Sequence, residues 1–117
     1  MKAEWTAGHP VDGIASLNVG DEVARLKEGP QWAAGDRAAQ ALIKNSELSV
    51  TLLLLKRGAA LKEHRARGTV ALTVVSGSIR LNRATLAAGM VAVIDREAPH
   101  AVEALEESAL VLTAVLK

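Results

Sequence analysis

The stretch LSVTLLLLKRGAALKEHRARGTVALTVVSGSIRL, residues 48–81, decides the fold predicted for this chain. It contains the short apolar runs LSVTLLLL, VALTVV and SIRL, which are separated by segments that carry glycine or charge. The further runs MVAVI, AVEAL and ALVLTAVL follow at similar spacing toward the C-terminal residues. Short apolar runs enriched in β-branched residues at this spacing predict the strands of an all-β sandwich or barrel.

Two of these runs, LSVTLLLL and ALVLTAVL, are apolar at both parities. A strand with this pattern has both faces covered, whereas a half-exposed strand alternates apolar and polar residues. In a short chain the second cover is either the N-terminal segment or a partner subunit. We expect a homodimer, because large exposed apolar patches are uncommon on monomers. The alternative is that the N-terminal 45 residues suffice as the cover.

The N-terminal third predicts one short helix and then a hairpin. In GDEVARLKEG, Asp21 is placed as an N-cap and Gly29 as a stop. The composition of DRAAQALIKN favours helix, but the NSE turn and the LSVTLLLL run that follow suit a hairpin whose first strand is residues 38–44. We expect the strand.

Length and composition predict one domain with a core of small and branched side chains. A chain of 117 residues has room for a single hydrophobic core. We expect residues 36–117 to form the barrel, and residues 1–35 to be irregular or partly helical and to pack on the barrel or on the partner. Trp5 and Trp32 are the only residues among Phe, Trp and Tyr, and we expect them to pack at a barrel end or the dimer seam. A core poor in aromatic rings is more easily left partly hollow, which predicts a cavity.

Charge and residue usage exclude several classes of function. Acidic and basic residues nearly balance at a net charge of +1, so neither nucleic acid nor a membrane surface is an expected partner. The absence of cysteine excludes disulfides, thiolate zinc sites and a cysteine nucleophile. The start MKAEWTAGHPVDG contains no continuous apolar stretch, and no run approaches the roughly 20 residues of a membrane helix. We therefore expect a cytoplasmic protein.

Two segments resemble the conserved motifs of the cupin family. They are GAALKEHRARGTVALTVVSG (residues 58–77) and GMVAVIDREAPHAVEA (residues 89–104). Gly58, His64 and Gly77 match the register of the first motif, and Gly89 and His100 match that of the second. The resemblance implies the cupin double-stranded β-helix, an RmlC-like jelly-roll barrel.

The metal-binding part of the motifs is degenerate. Cupins of this kind hold a metal with three histidines and one glutamate. Here Ala66 stands at the second histidine position of the first motif and Val70 at the glutamate position, so that His64 and His100 remain.

Two histidines are an incomplete set of metal ligands. A mononuclear site generally needs a third protein ligand, and the apolar side chains of Ala66 and Val70 disfavour a divalent ion. Strand alternation places Glu103 on the opposite face from His100, and Glu63 has the same difficulty beside His64. We therefore expect no cofactor, and a divalent metal held by His64 and His100 is the alternative.

The same positions predict a ligand pocket lined by His64, His100, Ala66 and Val70. Imidazoles donate and accept hydrogen bonds and take up a proton near neutral pH, which suits a small polar or anionic ligand. A basic cluster beside His64 either attracts an anion to the pocket or is solvated; it comprises Lys56, Arg57, Lys62, Arg65 and Arg67.

The sequence therefore favours a non-catalytic cupin that binds or senses a small molecule. One alternative is a metal-dependent enzyme of the dioxygenase or isomerase type that uses His64 and His100. Another is a structural or interaction protein that acts through its dimer surface.

Overall fold

The structure, a computed structural model, describes residues 4–5 and 12–116. Over these residues the elements are, in chain order, β1 (Glu4–Trp5), α1 (Val19–Lys27), α2 (Pro30–Ala34), β2 (Arg37–Lys44), β3 (Leu48–Leu55), β4 (Ala60–His64), β5 (Val70–Ser76), β6 (Ser78–Leu81), β7 (Ala84–Ala87), β8 (Val91–Ile94), β9 (His100–Ala104) and β10 (Ser108–Val115).

The strands form two antiparallel sheets that enclose the main core. The larger sheet has the order β1-β2-β3-β10-β5-β8 and the smaller one the order β4-β9-β6-β7. Side chains from both sheets meet between them, and they are aliphatic, for example Leu55, Leu72, Ile79 and Leu110. The predicted all-β jelly-roll barrel, with a short N-terminal segment that is partly helical, is confirmed.

Strand β3 is buried on both faces, as its apolar pattern predicts. Leu53 and Leu55 point into the barrel core. Leu52 and Leu54 point outward into a second apolar cluster that includes Leu26 of helix α1. The N-terminal helices thus supply the outer cover of this strand. The homodimer remains a prediction, because only one chain is described.

Helix α1 begins earlier than the sequence predicts. The N-cap is Asn18, whose Oδ1 accepts the backbone N–H of Asp21 at 2.9 Å, so the prediction of Asp21 as the N-cap is wrong. The earlier start places Val19, Val23 and Leu26 on one face of the helix, against the apolar cluster on the sheet. Asn18 and Asp21 are both residue types that favour the N-cap position, and the burial of this helix face selects Asn18.

Strand β2 confirms the prediction of a strand at residues 38–44. The hairpin turn to β3 is closed by Asn45, whose Oδ1 accepts the backbone N–H groups of Glu47 and Leu48 at 2.8 and 2.9 Å. The sequence did not predict β4, β7 or helix α2. Strands β4 and β7 are the two edges of the smaller sheet, and most of their side chains are exposed. Backbone pairing forms these strands, and pairing leaves no apolar pattern in the sequence.

The part of the N-terminal segment that the structure describes packs on the outside of the larger sheet. Trp32 of helix α2 packs against the second apolar cluster, which contains Leu52 and Leu54. Lys56 Nζ donates a hydrogen bond to the carbonyl oxygen of Trp32 at 2.6 Å. The same ammonium group lies 4.7 Å from the centre of the Trp32 ring. The side chain of Trp5 lies outside the described residues. The division of the chain at residue 35 into segment and barrel stays a prediction.

Neither helix in the described part of the chain is long and apolar enough to cross a membrane. The cytoplasmic location stays a prediction.

Gly77 lies where the chain crosses from the larger to the smaller sheet, at a point with no room for a side chain. Its φ is +83°, and a Cβ there would lie 2.3 Å from the Glu107 carbonyl oxygen and 2.3 Å from Ser108 Oγ. Gly89 has a similar φ of +90°, but beyond its chain neighbours a Cβ there would meet no atom within 4 Å. Both alanine variants should lose about 1–2 kcal/mol of unfolding free energy through backbone strain. Gly77→Ala should lose at least about 2 kcal/mol more through the clash. Urea denaturation measures both losses, and equal losses would contradict the packing at this crossing.

Candidate functional site

A cavity of about 210 Å³ lies inside the barrel, on the side of the core where β3 begins and β10 ends. Most of its wall is aliphatic, and the polar exceptions are two histidines, a serine and a threonine. The lining residues are Ser49, Thr51, Leu53, Leu61, His64, Ala66, Val70, Leu72, Ile94, His100, Val102, Leu110, Leu112 and Ala114. All four predicted pocket residues therefore line one cavity; their role in binding stays a prediction.

Ser49 and Thr51 are wall residues that the sequence reasoning missed. They point inward because they share the parity of Leu53 along β3. Strand β10 faces them with aliphatic residues only, and within the described part of the chain neither hydroxyl has a hydrogen-bond partner for its side chain. The alternation in β3 is the signal that could have identified them. The cavity thus has two hydroxyl groups open to a ligand.

His64 and His100 form a contacting pair at this cavity. His64 ends β4 and His100 begins β9, and the two are direct partners across the strands. Their ring centres are 4.0 Å apart, with an angle of 62° between the ring planes. His100 is 6% exposed, whereas His64 is exposed. His64 therefore lies at the opening of the cavity and His100 beneath it.

A bulge in β4 decides which side chain meets His100. The pairing of β4 with β9 shifts register between Leu61 and His64. Without that shift, alternation would put Leu61 and Glu63 on one face and His64 on the other. With it, Leu61 and His64 both line the cavity, and Glu63 lines an open outer groove that meets the cavity at Ile94 and His100.

The hydrogen bonds of the two rings define which nitrogen faces a ligand. Nδ1 of His64 lies 3.1 Å from the carbonyl oxygen of Lys62, and Nδ1 of His100 lies 3.1 Å from that of Ala98. A carbonyl oxygen only accepts, so each Nδ1 is assigned the proton and donates it. In the neutral rings both Nε2 atoms are then hydrogen-bond acceptors that remain open to a ligand.

The residues of this wall do not fit the three-histidine, one-glutamate set of the metal-binding cupins. Ala66 and Val70 line the wall with apolar side chains, at the two positions where the resemblance to cupins implies a histidine and the glutamate. Glu103 points to the outside, where its Oε1 accepts from Arg80 at 2.9 Å. In residues 4–5 and 12–116 no group of three or more His, Cys, Asp or Glu side chains is placed to hold a metal ion. The absence of a cofactor itself stays a prediction.

Asn82 holds the backbone on either side of His100, and the sequence did not predict this role. Its Nδ2 donates to the Pro99 carbonyl oxygen at 3.2 Å, and its Oδ1 accepts the Ala101 N–H at 2.9 Å. Its backbone N–H also donates to the Ala101 carbonyl oxygen at 3.0 Å. Asn82 has a φ of +52°, a conformation that asparagine tolerates better than most residues. An asparagine between two short strand-like runs is the signal that could have identified it.

The basic cluster does not line the cavity. None of its members, Lys56, Arg57, Lys62, Arg65 and Arg67, is among the lining residues. Lys56 instead binds the Trp32 carbonyl oxygen, and Arg65 donates to the Glu97 carbonyl oxygen at 3.3 Å. The cavity wall itself is therefore without a permanent positive charge.

Comparison with known proteins shows which class of fold this is. No protein-family model matches the sequence, and no curated protein matches it. The solved structures of several cupins do match the fold. An RmlC-like cupin from Shewanella frigidimarina is similar with a TM-score of 0.68 and 23% identity, over 72% of this chain and 79% of that one. A cupin 2 conserved barrel domain protein from Leptotrichia buccalis gives 0.66 and 26%, over 70% and 42%. The chain therefore has the RmlC-like cupin fold.

A third similar structure extends the likeness to nearly the full length. A conserved protein of unknown function from Streptococcus pyogenes matches with a TM-score of 0.65 and 21% identity, over 96% of both chains. At such identities the likeness shows the fold alone.

The contacts of Asn82 predict that it positions His100. Asn82→Gly keeps the left-handed backbone but removes both side-chain hydrogen bonds. We expect a change in the ¹H–¹³C NMR signals of the His100 ring and a loss of about 1–2 kcal/mol in unfolding free energy. Asn82→Asp keeps an acceptor for the Ala101 N–H and should preserve most of the His100 signal. Unchanged His100 signals in Asn82→Gly would contradict this positioning role.

The resemblance to the cupin motifs predicts that metal binding can be introduced at this wall. Ala66→His together with Val70→Glu supplies the missing side chains beside His64 and His100. We expect this double variant to bind one equivalent of Mn²⁺ or Zn²⁺ at least about tenfold more tightly than the natural chain, because the ligand count rises from two to four. Isothermal titration calorimetry measures the difference. If the natural chain binds the metal as tightly as the double variant does, it must contain a third metal-ligating side chain, which would contradict the prediction.

Proposed function

We propose that this protein binds a small neutral molecule inside the barrel, as a binding or sensing protein and not as a catalyst. The observation that supports the proposal is the cavity of about 210 Å³ that reaches both histidine rings. The wall offers polar groups at Ser49, Thr51, His64 and His100 and is otherwise aliphatic. This combination of an apolar wall and a few polar groups is typical of ligand pockets.

The cavity volume limits the size of the ligand. An engineered protein cavity of about 150 Å³ with apolar walls accommodates benzene. The present cavity, of about 210 Å³, has room for a molecule somewhat larger than that. We therefore propose a ligand with one small ring or an aliphatic body of similar size.

The hydrogen bonds of the histidines indicate the chemistry of the polar end. Both Nδ1 atoms donate to backbone carbonyl oxygens, so the Nε2 atoms of the neutral rings accept. Two hydrogen-bond acceptors favour a ligand that carries a hydrogen-bond donor, such as a hydroxyl group. An anion would need a proton on Nε2, and the basic cluster expected to attract one does not line the cavity. We therefore favour a neutral ligand with a hydroxyl group over the anionic one that the sequence also suggested.

The surroundings of the two imidazoles support binding in preference to acid–base catalysis. A general base is usually oriented and tuned by a neighbouring carboxylate. Among the lining residues there is no Asp or Glu, and each ring is held by a backbone carbonyl instead. The outer groove that also reaches His100 contains Glu63 and Asp95, but in the described part of the chain neither carboxylate is hydrogen-bonded to a ring. The wall therefore orients the rings without a carboxylate partner.

A set of three compounds with the same ring tests the proposal: benzyl alcohol, benzoate and benzylamine. At pH 8 we expect benzyl alcohol to bind more tightly than the two charged compounds, because no charged side chain lines the cavity to pair with either charge. His100→Ala should weaken benzyl alcohol binding about tenfold, because one hydrogen bond of about 1–1.5 kcal/mol is lost. Ligand titrations followed by NMR measure these affinities.

Two variants separate the pocket from general effects on folding. Ala66→Leu fills the cavity and should abolish binding without a loss of unfolding free energy. Glu28→Gln changes an exposed carboxylate at the end of helix α1 that does not line the cavity, and should leave affinity unchanged. Binding that survives both His100→Ala and Ala66→Leu would overturn the pocket. Tighter binding of benzoate or benzylamine would be consistent with the proposed pocket but would contradict the proposal that its ligand is neutral.

A further inference from the structure

The two hydroxyl groups of the cavity wall lie opposite the two histidines. Ser49 and Thr51, which we call the hydroxyl pair, belong to β3 of the larger sheet. His64 and His100 belong to β4 and β9 of the smaller sheet. All four side chains line the same cavity, which lies between the two sheets. The cavity therefore has polar groups on both of its walls.

Packing alone does not explain the hydroxyl pair. The direct partners of Ser49 and Thr51 in β10 are Ala114 and Leu112, which line the cavity as well. Valine has nearly the shape of threonine, so an aliphatic side chain would fill this part of the wall equally well. In the described part of the chain neither side-chain hydroxyl has a hydrogen-bond partner. A polar group beside apolar walls is costly without a partner, so the hydroxyl pair favours a polar group of a ligand in the cavity.

We propose that the ligand of this cavity carries two neutral polar groups, one at each end of an apolar body. This inference rests on the proposed function, because it assigns the second end of the same ligand. The hydroxyl group at one end donates to an Nε2 atom of the histidines. The oxygen at the other end is bound by the hydroxyl pair, which both donates and accepts hydrogen bonds. The ligand class is therefore a small diol, or a hydroxyketone or hydroxyether of similar size.

The composition of the wall makes the hydroxyl pair a determinant of specificity. The lining residues include no Asp, Glu, Lys or Arg, so the second polar group has no charge to pair with and is itself neutral. A site that hydrogen-bonds a ligand hydroxyl discriminates against the analogue that lacks it, because the polar groups of the site are then left unpaired. The hydroxyl pair thus selects ligands with two polar ends over ligands with one.

Two matched compounds test the second polar end. 4-Hydroxybenzyl alcohol and 4-methylbenzyl alcohol share a ring and nearly the same size, and they differ by a hydroxyl group in place of a methyl group. We expect the hydroxy compound to bind at least about fivefold more tightly, because one further hydrogen bond forms. The 3-substituted pair is measured as well, and the gain should occur in at least one of the two pairs. Titrations followed by NMR at pH 8, where a phenol keeps its proton, measure the affinities.

The double variant Ser49→Ala/Thr51→Val removes both hydroxyl groups with little change in shape. In this variant the gain of the hydroxy compound should disappear, while the methyl compound should bind as tightly as before. A purely structural role of the two residues would instead weaken both compounds alike. Thr73→Val/Thr113→Val is the matched control, because neither threonine lines the cavity. It should retain the gain, and circular dichroism checks that both variants are folded.

The outcomes separate this inference from the proposed function. Equal affinities of the hydroxy and methyl compounds in both pairs overturn the inference. A gain that persists in Ser49→Ala/Thr51→Val overturns it as well. In either case, methyl compounds that bind and lose affinity in His100→Ala still support the proposed pocket. If none of the four compounds binds, the proposed function is contradicted, and this inference with it.

Discussion

The burial of strand β3 on both faces is the constraint on which the rest of the structure depends. Its inner residues Leu53 and Leu55 join the barrel core, and its outer residues Leu52 and Leu54 require a cover that helix α1 supplies. Fully buried leucines of this kind each contribute about 1.5–3 kcal/mol relative to exposure. The N-terminal helices are therefore part of the fold, and their extent decides which half of the sheet stays uncovered.

The same strand connects the fold to the candidate site. Toward its start the inward residues change from leucine to Thr51 and Ser49, so the wall becomes smaller and more polar. Opposite, the bulge in β4 turns His64 toward His100. The cavity is thus the region where the aliphatic filling of the barrel ends and hydrogen-bonding groups begin, which is why a ligand with an apolar body and polar ends suits it.

The small apolar side chains of Ala66 and Val70 are consistent with this use. They contribute no metal ligand to the wall and leave the space beside His64 and His100 open. The remaining imidazoles are held in one tautomer by backbone carbonyl oxygens, and no lining carboxylate takes part. A mostly aliphatic wall without a carboxylate is better suited to an uncharged molecule than to a divalent ion.

The sequence by itself determined the strands whose faces are buried, the motif glycines and the residues that line the cavity from the motifs. The strands leave a direct record in apolar periodicity, because burial selects side chains, whereas the glycines and the cavity residues follow from the resemblance of two segments to the cupin motifs. The tertiary structure alone decided the edge strands β4 and β7, the N-cap at Asn18, and the meeting of His64 with His100 across a bulge. Each of these depends on backbone pairing or on packing against distant residues, and neither is recorded in the local order of side chains.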